Sequence, residues 1–434
     1  MENKYANRPD LFFKHQLQSN FKNETFNKIS ISNIISSNIT EFYTSFNRKK
    51  FKVVNELLKI IYLLFIRDLY VYAKFHFKTS QVPLLKNKII IEAISDEIRL
   101  RGFWLPVARE YKKDNLYILT EDLKLYNKYK TDFNIIIPYS FNFLLWIKSR
   151  FYIISKIIKF YNLIKTKENN TNFIALKLRV LGDVICQINS IVKSDELTKS
   201  YNPTSFLTIW DLHPLGAVYC SVFKKYNIPS ITFIHGAIGV NSLIEFIPLI
   251  ADYIISWGKH NTSLLKLNGI KPNKILECGC TRMTEYLDPN IDQIKIDKLN
   301  LKIDLEKKVI CFLNTGIIRK RWINDVNEIS KIFSNKYELI CRPHPSNNTN
   351  YISKHFPKNL KILSKKDISL ERTISISDFC ISDSSSSGFD ALFMKKNVFL
   401  LDSNITDVYQ DVMYDACKSN AVLFSKRVED FLIQ

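Results

Sequence analysis

The sequence DSSSSGFD at residues 383–390, together with RPHP at residues 342–345, indicates the fold of this chain. Each follows a short apolar run that is typical of a buried strand, at residues 379–382 and 337–341. A strand that ends in a histidine, or in hydroxyls and a glycine that open a helix, is well suited to hold a phosphate. The two stretches therefore predict an enzyme that handles a nucleotide-activated donor.

Outward from these stretches, short β-rich runs alternate with helix-length segments. This alternation predicts parallel sheets with helices on both faces. We expect an α/β protein with two doubly wound Rossmann-like domains that face a cleft, preceded by an N-terminal helical extension. The predicted strands are 89–93, 116–119, 134–138, 206–210, 230–234, 253–257 and 275–278, then 309–313, 337–341, 360–363, 379–382 and 398–401.

The length and composition fit this organisation. A chain of 434 residues is too long for one ordinary domain, and 46% apolar residues suffice for real cores. The predicted domains are a helical extension at 1–85, an acceptor domain at 86–290 and a nucleotide-donor domain at 300–425. Nine of the ten glycines lie from Gly182 onward, so ligand chemistry is expected in the later two-thirds of the chain.

The charge is strongly basic and unevenly distributed. The chain carries a net charge of +20, and residues 1–170 alone hold 29 basic and 15 acidic side chains. Such asymmetry suggests an acidic partner for the N-terminal part, or lysines spread over solvated faces. Residues 141–167 hold six basic and no acidic residues among many apolar ones. They predict either a helix that lies on an anionic membrane surface or a domain helix with a solvated lysine face.

The remaining composition points to a cytoplasmic protein. The eight cysteines do not form a disulfide framework in a chain of this length, which suggests a reducing compartment. The N-terminus is too polar for a signal peptide, and charged residues interrupt the apolar stretch 53–77, so it does not predict a membrane span. If 141–167 docks on lipid, the protein is expected at the inner face of the cytoplasmic membrane.

The donor half of the site is predicted at the second series of strands. Two prolines fix the direction of the His344 imidazole, and Arg342 adds a charge that suits a phosphate. The serine run has more hydroxyls than a helix cap needs, although capping alone is the simpler interpretation. Asp390 can accept hydrogen bonds from a ribose or merely favour the helix start. The candidate donor-binding residues are Arg342, Thr315, Gly316, Ser384, Ser385, Ser386, Ser387 and Asp390.

The first domain offers candidates for a base that takes the proton from an acceptor hydroxyl. His235 follows the predicted strand 230–234, and Asp211 with His213 follows 206–210. Asp96 and Glu97, after the first strand, are further candidates, and each is equally well explained as a cap or turn residue.

These motifs resemble a known group of enzymes. The Pro-His-Pro turn, the serine run with Phe-Asp-Ala-Leu behind it, the His-Gly turn and the stretch ADYIISWG at 251–258 are similar to bacterial surface-polysaccharide glycosyltransferases of the GT-B fold. That group includes capsule Kdo-transferase-like and polysialyltransferase-like enzymes, and CDP-glycerol glycerophosphotransferases are similar. The resemblance spans about residues 205–402.

The resemblance implies roles for individual residues. His344 would contact the donor phosphate and assist the leaving group, and Ser385 and Ser386 would bind the phosphate. Asp390 would stand near the ribose, and His235 or Asp211 would be the acceptor-side base. Polysialyltransferase-like enzymes have a glycine after an acidic pair in their first domain, whereas Ile98 follows Asp96-Glu97 here.

The expected function is transfer of a sugar from a nucleotide sugar to a growing surface polysaccharide or lipid-linked glycan. Protonated histidine, hydroxyls and a helix start can stabilise the charge on a leaving phosphate, and no Asp-x-Asp metal motif is present, so metal-independent, inverting transfer is expected. No cofactor is expected, and the co-substrate would be CMP- or UDP-linked.

Three alternatives remain open. A CDP-glycerol-type polyol-phosphate transferase would use the same histidine and serines. An epimerase that acts on a nucleotide sugar shares the architecture. A non-enzymatic basic protein that binds membrane or nucleic acid is supported by charge alone, and since the chain lacks an RNA-binding signature, nucleic acid is not expected as a partner.

Overall fold

The structure is a computed structural model. It describes residues 9–34, 52–70, 87–96, 98–111, 115–138, 143–164, 171–234, 248–282, 290–314, 318, 320–344, 347, 349–382, 385, 387–401 and 423–425. The chain divides into two compact units. Unit 1 comprises 1–235 with 243–279, and unit 2 comprises 236–242 with 280–434.

Unit 1 is built on a parallel sheet with helices before and between its strands. Its described helices are α1 Pro9–Asn20, α2 Ile31–Ile34, α3 Val53–Phe65, α4 Ile98–Glu110, α5 Leu123–Tyr129, α6 Phe143–Leu163, α7 Thr171–Tyr201, α8 Pro214–Lys225 and α9 Lys259–Leu267, with a 3₁₀ turn at Pro272–Lys274. Its strands are β1 Thr25–Phe26, β2 Ile29–Ser30, β3 Ile89–Glu92, β4 Leu116–Leu119, β5 Ile135–Ile136, β6 Ser205–Thr208, β7 Ser230–Phe233, β8 Tyr253–Ser256 and β9 Ile275–Glu277.

The order of the main sheet in unit 1 is β5-β4-β3-β6-β7-β8-β9, and each neighbouring pair is parallel. The chain runs from β3 outward to β5 and then returns to β6 on the other side of β3. Strand order therefore reverses between β3 and β6, and ligands of doubly wound sheets bind where it reverses. Strand β4 is buried at all four positions, as expected for a strand covered on both faces.

The N-terminal helices form part of unit 1. Apolar side chains of α1, α3, α6, α7 and α8 share one core, which includes Leu17 from α1, Leu63 from α3 and Val218 from α8. The helical segment that the sequence predicts at 1–85 thus contributes helices that are integrated into the unit. Its described residues also include a small antiparallel hairpin of β1 and β2, which the sequence analysis did not predict.

Unit 2 holds the second parallel sheet. Its described helices are α10 Ile291–Asn300, α11 Lys320–Phe333, α12 Thr349–His355, α13 Leu370–Ser375 and α14 Ser387–Phe393. Its described strands are β10 Lys308–Leu313, β11 Tyr337–Arg342, β12 Lys361–Ile362, β13 Phe379–Ser382, β14 Asn397–Leu401 and β15 Leu423–Ser425, in the sheet order β12-β11-β10-β13-β14-β15.

Helix α11 shows why this sequence folds as it does. Trp322, Val326 and Ile329 recur at helical spacing and are buried, while charged residues fill the opposite face. These side chains pack on Phe312 and Cys341 from the sheet. The buried stripe thus fixes α11 against the carboxyl half of β10 and β11.

The predicted α/β class with two doubly wound parallel sheets is confirmed. Each predicted strand has its counterpart within two residues at either end, and β15 is an addition. The helix predicted over 141–167 is α6. No described helix has both the length and the apolar character that a membrane span needs.

Candidate functional site

Three strand ends align at the carboxyl edge of the unit 2 sheet. Leu313, which ends β10, is paired in register with Arg342 of β11 on one side and with Ser382 of β13 on the other. The chain proceeds from β10 to β11 and then crosses back to β13, so this is the point where strand order reverses in unit 2. His344 and Ser385 each follow within three residues of these ends. The structure therefore brings the two sequence motifs to the same edge of one sheet.

His344 lies in a turn that is fixed from both directions. Its backbone N–H donates to Asn347 Oδ1 at 2.9 Å, and the backbone N–H of Asn347 donates to the His344 carbonyl at 2.8 Å. Pro343 is buried and His344 is half-buried. The turn therefore holds the backbone of His344 firmly at the edge of the sheet.

Asn314 stands between the two motifs, at the end of β10. It is 2% exposed, its Oδ1 accepts from Trp322 Nε1 at 2.8 Å, and its backbone N–H donates to the Arg342 carbonyl at 3.1 Å. Its Nδ2 is buried and has no hydrogen-bond partner among the residues that the structure describes. Because buried polar groups are usually satisfied, this amide is a candidate ligand donor. From the sequence, only the two residues that follow it, Thr315 and Gly316, are predicted to bind the donor.

Ser385 caps helix α14. Its hydroxyl accepts from the backbone N–H of Ser387 at 3.3 Å and donates to Ser387 Oγ at 3.2 Å, and its own N–H donates to Ser382 Oγ at 2.9 Å. Ser385 is 4% exposed, whereas Ser387 is half-buried. The simpler interpretation, capping, therefore applies to Ser385.

Arg342 has a different environment from the predicted one. Its Nη1 donates to the carbonyls of Leu363 and Ile368, at 3.3 and 2.5 Å, and lies 3.4 Å from Thr373 Oγ1. Arg342 is 8% exposed. Its guanidinium thus ties the segment after β12 to α13, and these contacts give no support to the prediction that it binds a donor phosphate.

Asp390 also has a protein partner. Its Oδ1 accepts from Arg282 Nη2 at 2.6 Å, and both residues are buried. This ion pair joins α14 to the segment at the start of unit 2. A buried carboxylate that is already paired is poorly placed to accept from a ribose, so the geometry favours a structural role over the predicted one.

Some predicted residues lie outside the described part of the chain. They are His235, Thr315, Gly316, Ser384 and Ser386, and Glu97 among the further candidates. Their assignments stay predictions.

Asp211, the other predicted base, lies in the core of unit 1. It is 0% exposed, and its Oδ2 accepts from the backbone N–H groups of Ile250 and Ala251 at 2.7 and 2.9 Å. Burial raises the pKa of Asp211 to about 6, against these two hydrogen bonds, which lower it. The carboxylate thus anchors the chain before β8. Its burial gives no support to the prediction that Asp211 meets an acceptor hydroxyl.

The neighbouring candidates also have local explanations. Burial lowers the pKa of His213 to about 4, so its imidazole is neutral at pH 7 and a weak base. His213 lies at the start of α8. Asp96 accepts from Lys128 Nζ at 2.6 Å and from Tyr129 Oη at 2.7 Å, which identifies it as a residue that holds α5 against the sheet.

Glu92 is the residue of unit 1 that the sequence analysis missed. It ends β3, is 3% exposed, and its Oε2 is hydrogen-bonded to Thr208 Oγ1 at the end of β6. Burial raises the pKa of Glu92 to about 7, against the hydrogen bond from Thr208, which lowers it, and with a smaller upward contribution from the charge of Glu121. The sequence contains one sign of a functional role, a single glutamate at the end of the apolar run Ile89–Ile91. The run itself predicts only a strand.

Glu92 lines a cavity of about 360 Å³ in unit 1. The cavity is bounded by the residues that follow β3 and β4, by Pro138 and by the first turns of α8. Among the described residues, no group of three or more His, Cys, Asp or Glu side chains is placed to hold a metal ion.

A family model matches the C-terminal part of the chain. Residues 247–431 match the family described as CDP-Glycerol:Poly(glycerophosphate) glycerophosphotransferase. The matched range includes the strands and helices of unit 2 from β10 onward. This confirms the resemblance to CDP-glycerol glycerophosphotransferases that the sequence motifs indicated. The comparison with curated protein sequences gives no match.

Solved structures share the fold. UDP-GlcNAc 2-epimerase from Neisseria meningitidis, bound to UDP-GlcNAc, is 14% identical with a TM-score of 0.51, covering 77% of this chain and 86% of that one. A structure from Listeria monocytogenes that is described as a UDP-N-acetylglucosamine 2-epimerase is 10% identical with a TM-score of 0.50. The match covers 80% of this chain and 86% of that one. The wall teichoic acid polymerase TagF gives 15% identity, a TM-score of 0.44 and coverages of 86% and 88%. The epimerase likenesses show the GT-B type of fold.

Proposed function

We propose that this protein is a transferase that takes its transferred group from a nucleotide-linked donor. One observation carries the proposal: the aligned ends of β10, β11 and β13 place Asn314, His344 and Ser385 at one edge of the unit 2 sheet, inside the matched range. Doubly wound sheets bind ligands at this edge, where the strand order reverses. The nucleotide phosphate would lie there.

The donor that we favour is a CDP-linked polyol phosphate, because the matching family is described by a CDP-glycerol donor and a poly(glycerophosphate) acceptor. The second candidate is metal-independent, inverting glycosyl transfer from a CMP- or UDP-linked sugar to a growing surface polysaccharide or lipid-linked glycan. Both reactions release a nucleotide, and both build negative charge on its phosphate. The same residues of unit 2 would therefore serve either donor.

In polyol-phosphate transfer, an acceptor hydroxyl attacks the phosphorus of the polyol phosphate. The new bond joins the acceptor oxygen to that phosphorus, the bond to the CMP oxygen breaks, and CMP leaves with the electron pair. The hydroxyl proton passes to a base, for which His235 stays the candidate.

The leaving CMP would be stabilised from two sides. A protonated His344 would lie on one flank and the Ser387 hydroxyl on the other, with Asn314 Nδ2 between them. Fixed donors aimed at developing charge are worth about 3–4 kcal/mol each in other enzymes.

A ligand-binding assay tests the donor. We would measure binding of CDP-glycerol, CDP, CMP, UDP and UDP-GlcNAc by calorimetry, because a donor site should prefer one nucleotide. His344→Ala is expected to weaken binding of the preferred nucleotide at least tenfold. His355→Ala is the matched control, since His355 lies in the same unit on the exposed end of α12. If no nucleotide binds the wild-type protein, the proposal is wrong.

Product analysis separates the two donors. Radiolabelled CDP-glycerol and labelled nucleotide sugars would be supplied with an acceptor glycan, and the label in polymer would be measured. Label from CDP-glycerol alone supports polyol-phosphate transfer, while label from a nucleotide sugar alone supports glycosyl transfer. Addition of EDTA tests metal independence, since an unchanged rate is expected.

We also propose that α6 docks on the anionic inner face of the cytoplasmic membrane. Its outer face exposes large apolar side chains, led by Leu144 and Ile158 at 79% and 75%, which a water-facing helix would not favour. Lys148 lies beside this face, as does Lys159, which is also paired with Glu24 at 2.5 Å. Apolar anchors flanked by lysines suit an anionic interface. The exposed apolar residues are Phe143, Leu144, Phe151, Ile154 and Ile158.

A second helix of unit 1 supports this proposal. Helix α3 exposes an apolar face that continues past its end, and both α3 and α6 pack against α7. Arg150 of α6 donates to Asp68, just beyond α3, at 2.5 Å, so the two helices are neighbours. The exposed residues of this face are Val54, Leu57, Leu58, Ile61, Tyr62, Phe65, Ile66, Leu69 and Tyr70.

Flotation with vesicles tests the docking. Wild-type protein is expected to float with phosphatidylglycerol vesicles and to stay behind with phosphatidylcholine vesicles. Leu144→Ser combined with Ile158→Ser should abolish flotation. Leu267→Ser is the control, because Leu267 is equally exposed, at 81%, on another helix of unit 1. Equal recovery of the double variant and wild type would exclude α6 as the docking surface.

A further inference from the structure

The cavity at the carboxyl edge of the unit 1 sheet has a defined position in the topology. Glu92 ends β3 and Thr208 ends β6, the two strands between which strand order reverses. The hydrogen bond between these two side chains thus spans the reversal point, where doubly wound sheets bind ligands. A volume of about 360 Å³ lies within the range of small-molecule pockets.

The lining of the cavity selects against anions. Its acidic side chains are Glu92, Glu121 and Asp122, and among the described residues that line it there is no lysine, arginine or histidine. A phosphate or carboxylate placed here would meet the carboxylates of Glu121 and Asp122, whereas Arg67, which interacts electrostatically with Glu121, is not among the described residues that line the cavity. The nucleotide and any acidic sugar are therefore poor occupants of this cavity.

The carboxyl groups differ in what they offer to a ligand. Asp122 Oδ1 accepts from the Lys124 N–H at 2.8 Å and caps α5, so that carboxylate has a structural partner. Glu92 Oε1 is buried and has no hydrogen-bond partner among the described residues, so it offers an unused hydrogen-bonding atom.

The walls suit a group that has both apolar and hydroxyl surface. Ile94, Leu119, Leu215 and Tyr219 line the cavity beside the carboxyl groups. Sugars and polyols present C–H surfaces and hydroxyls together, and such ligands are held by apolar walls with a few polar groups. The raised pKa of Glu92, about 7 because of burial, leaves this group largely protonated below neutral pH, which weakens attraction for a cationic amine.

We propose that this cavity binds one neutral, polyhydroxylated unit of the acceptor, with Glu92 hydrogen-bonded to one of its hydroxyls and Glu121 excluding anionic units. This inference rests on the proposed transferase function and specifies the unit of the acceptor that enters this cavity: a neutral polyol or sugar, in contrast to the poly(glycerophosphate) acceptor that the matching family's description names.

Matched pairs of small ligands test the cavity. The probes are glycerol against glycerol 1-phosphate, and methyl α-glucopyranoside against methyl α-glucuronide, with glucosamine as the cationic probe. Saturation-transfer NMR would give the dissociation constants. The neutral member of each pair is expected to bind at least tenfold more tightly than the anionic one. Equal or tighter binding of an anion, or tighter binding of glucosamine, would overturn the proposal.

Variants tie the binding to Glu92. Glu92→Ala should weaken the neutral probes at least tenfold, whereas Glu92→Gln, which keeps the shape and hydrogen-bonding capacity, should stay within about threefold. Glu121→Gln should reduce the discrimination against anions, and the exposed Glu110→Gln should change nothing. Neutral binding that survives Glu92→Ala would contradict the assignment.

Nucleotide binding on the same samples separates this inference from the proposed function. Retained CDP binding by Glu92→Ala shows that unit 2 is folded and binds nucleotide, and a circular dichroism melt like that of the wild type shows that unit 1 is folded as well. If CDP binds and no neutral probe does, the cavity assignment fails and the transferase proposal stands. If neutral probes bind with the expected discrimination and no nucleotide does, the transferase proposal fails alone.

Discussion

Asp390 Oδ1 accepts a hydrogen bond of 2.6 Å from Arg282 Nη2, and only 5% and 2% of the two side chains are exposed. Removing one member of a buried ion pair leaves the other charge without compensation, which costs about 3–5 kcal/mol. We therefore expect Arg282→Met to lower the free energy of unfolding by this amount in urea titrations. Arg372→Ala, which removes a half-exposed arginine from its pair with Asp297, should cost less.

The double variant gives the decisive comparison for this pair. Arg282→Met with Asp390→Leu should be more stable than Arg282→Met alone, because no unpaired charge remains. Additive losses would show that the two side chains are not coupled. If Asp390 instead binds ribose, Asp390→Asn should weaken nucleotide binding while leaving stability nearly unchanged.

Glu92 predicts a pH dependence of stability. Its pKa is raised by burial from 4.5 to about 7, so the folded state binds a proton more tightly than the unfolded state. The contribution of Glu92 to the free energy of unfolding is fully present below pH 4.5 and is lost as pH rises through 7. The loss amounts to about 3 kcal/mol. Glu92→Gln should remove this dependence, so the variant gains stability relative to wild type between pH 5 and 8. Unfolding titrations at several pH values measure it, and parallel curves for the two proteins would contradict it.

Variants at Asp211 distinguish a structural carboxylate from a catalytic base. Asp211→Asn keeps an oxygen that can accept from the N–H groups of Ile250 and Ala251, so we expect transfer activity within a few-fold of wild type. Asp211→Ala leaves two buried donors unsatisfied and should cost about 2–4 kcal/mol. Circular dichroism melts and transfer assays on both variants check this. Loss of activity in a fully folded Asp211→Asn protein would restore the role that the sequence suggested.

Arg342 and His344 should differ in the kind of damage that their loss causes. Arg342→Ala removes bonds to two backbone carbonyls and should lower the free energy of unfolding by about 2–3 kcal/mol, since charged donors contribute more than neutral ones. Its effect on nucleotide affinity at low temperature should be smaller than that of His344→Ala. Calorimetry at 10 °C with thermal melts compares the two. A larger loss of affinity in Arg342→Ala would return Arg342 to the donor site.

The sheet architecture was predictable because parallel strands that are buried on both faces appear in the sequence as short apolar runs. Ile89–Glu92 and Tyr337–Arg342 each stand out against polar flanks. An error of one or two residues in where a strand ends does not change the topology. The short strands β1 and β2 have no such run, so the hairpin they form follows from packing on α8 rather than from local pattern.

The positions of the candidate residues at the strand ends follow from the sequence, but the partners of each side chain do not. The strand-end rule places His344 and Ser385 at one edge of the unit 2 sheet, because register is set by the sheet, and their role in donor binding stays a prediction. It could not show that Arg282, more than a hundred residues away, takes the carboxylate of Asp390, or that Asp211 points into the core. Such pairings depend on tertiary packing, and the same residue types occur at exposed strand ends and buried ones. Glu92 was missed for the same reason: a glutamate at a strand end is ordinary until its burial is known.

Gly216, in the first turn of α8, packs directly against the end of β6. A Cβ at this position would come within 2.3 Å of the Trp210 carbonyl oxygen and 3.0 Å of Thr208 Oγ1. Any larger residue must push α8 away or displace the hydroxyl that holds Glu92. Position 216 can therefore serve as a diagnostic when homologous sequences are compared: a chain that keeps a glycine there can keep the Glu92–Thr208 pair, and one that has lost it is expected to have changed the acidic residue at position 92 as well.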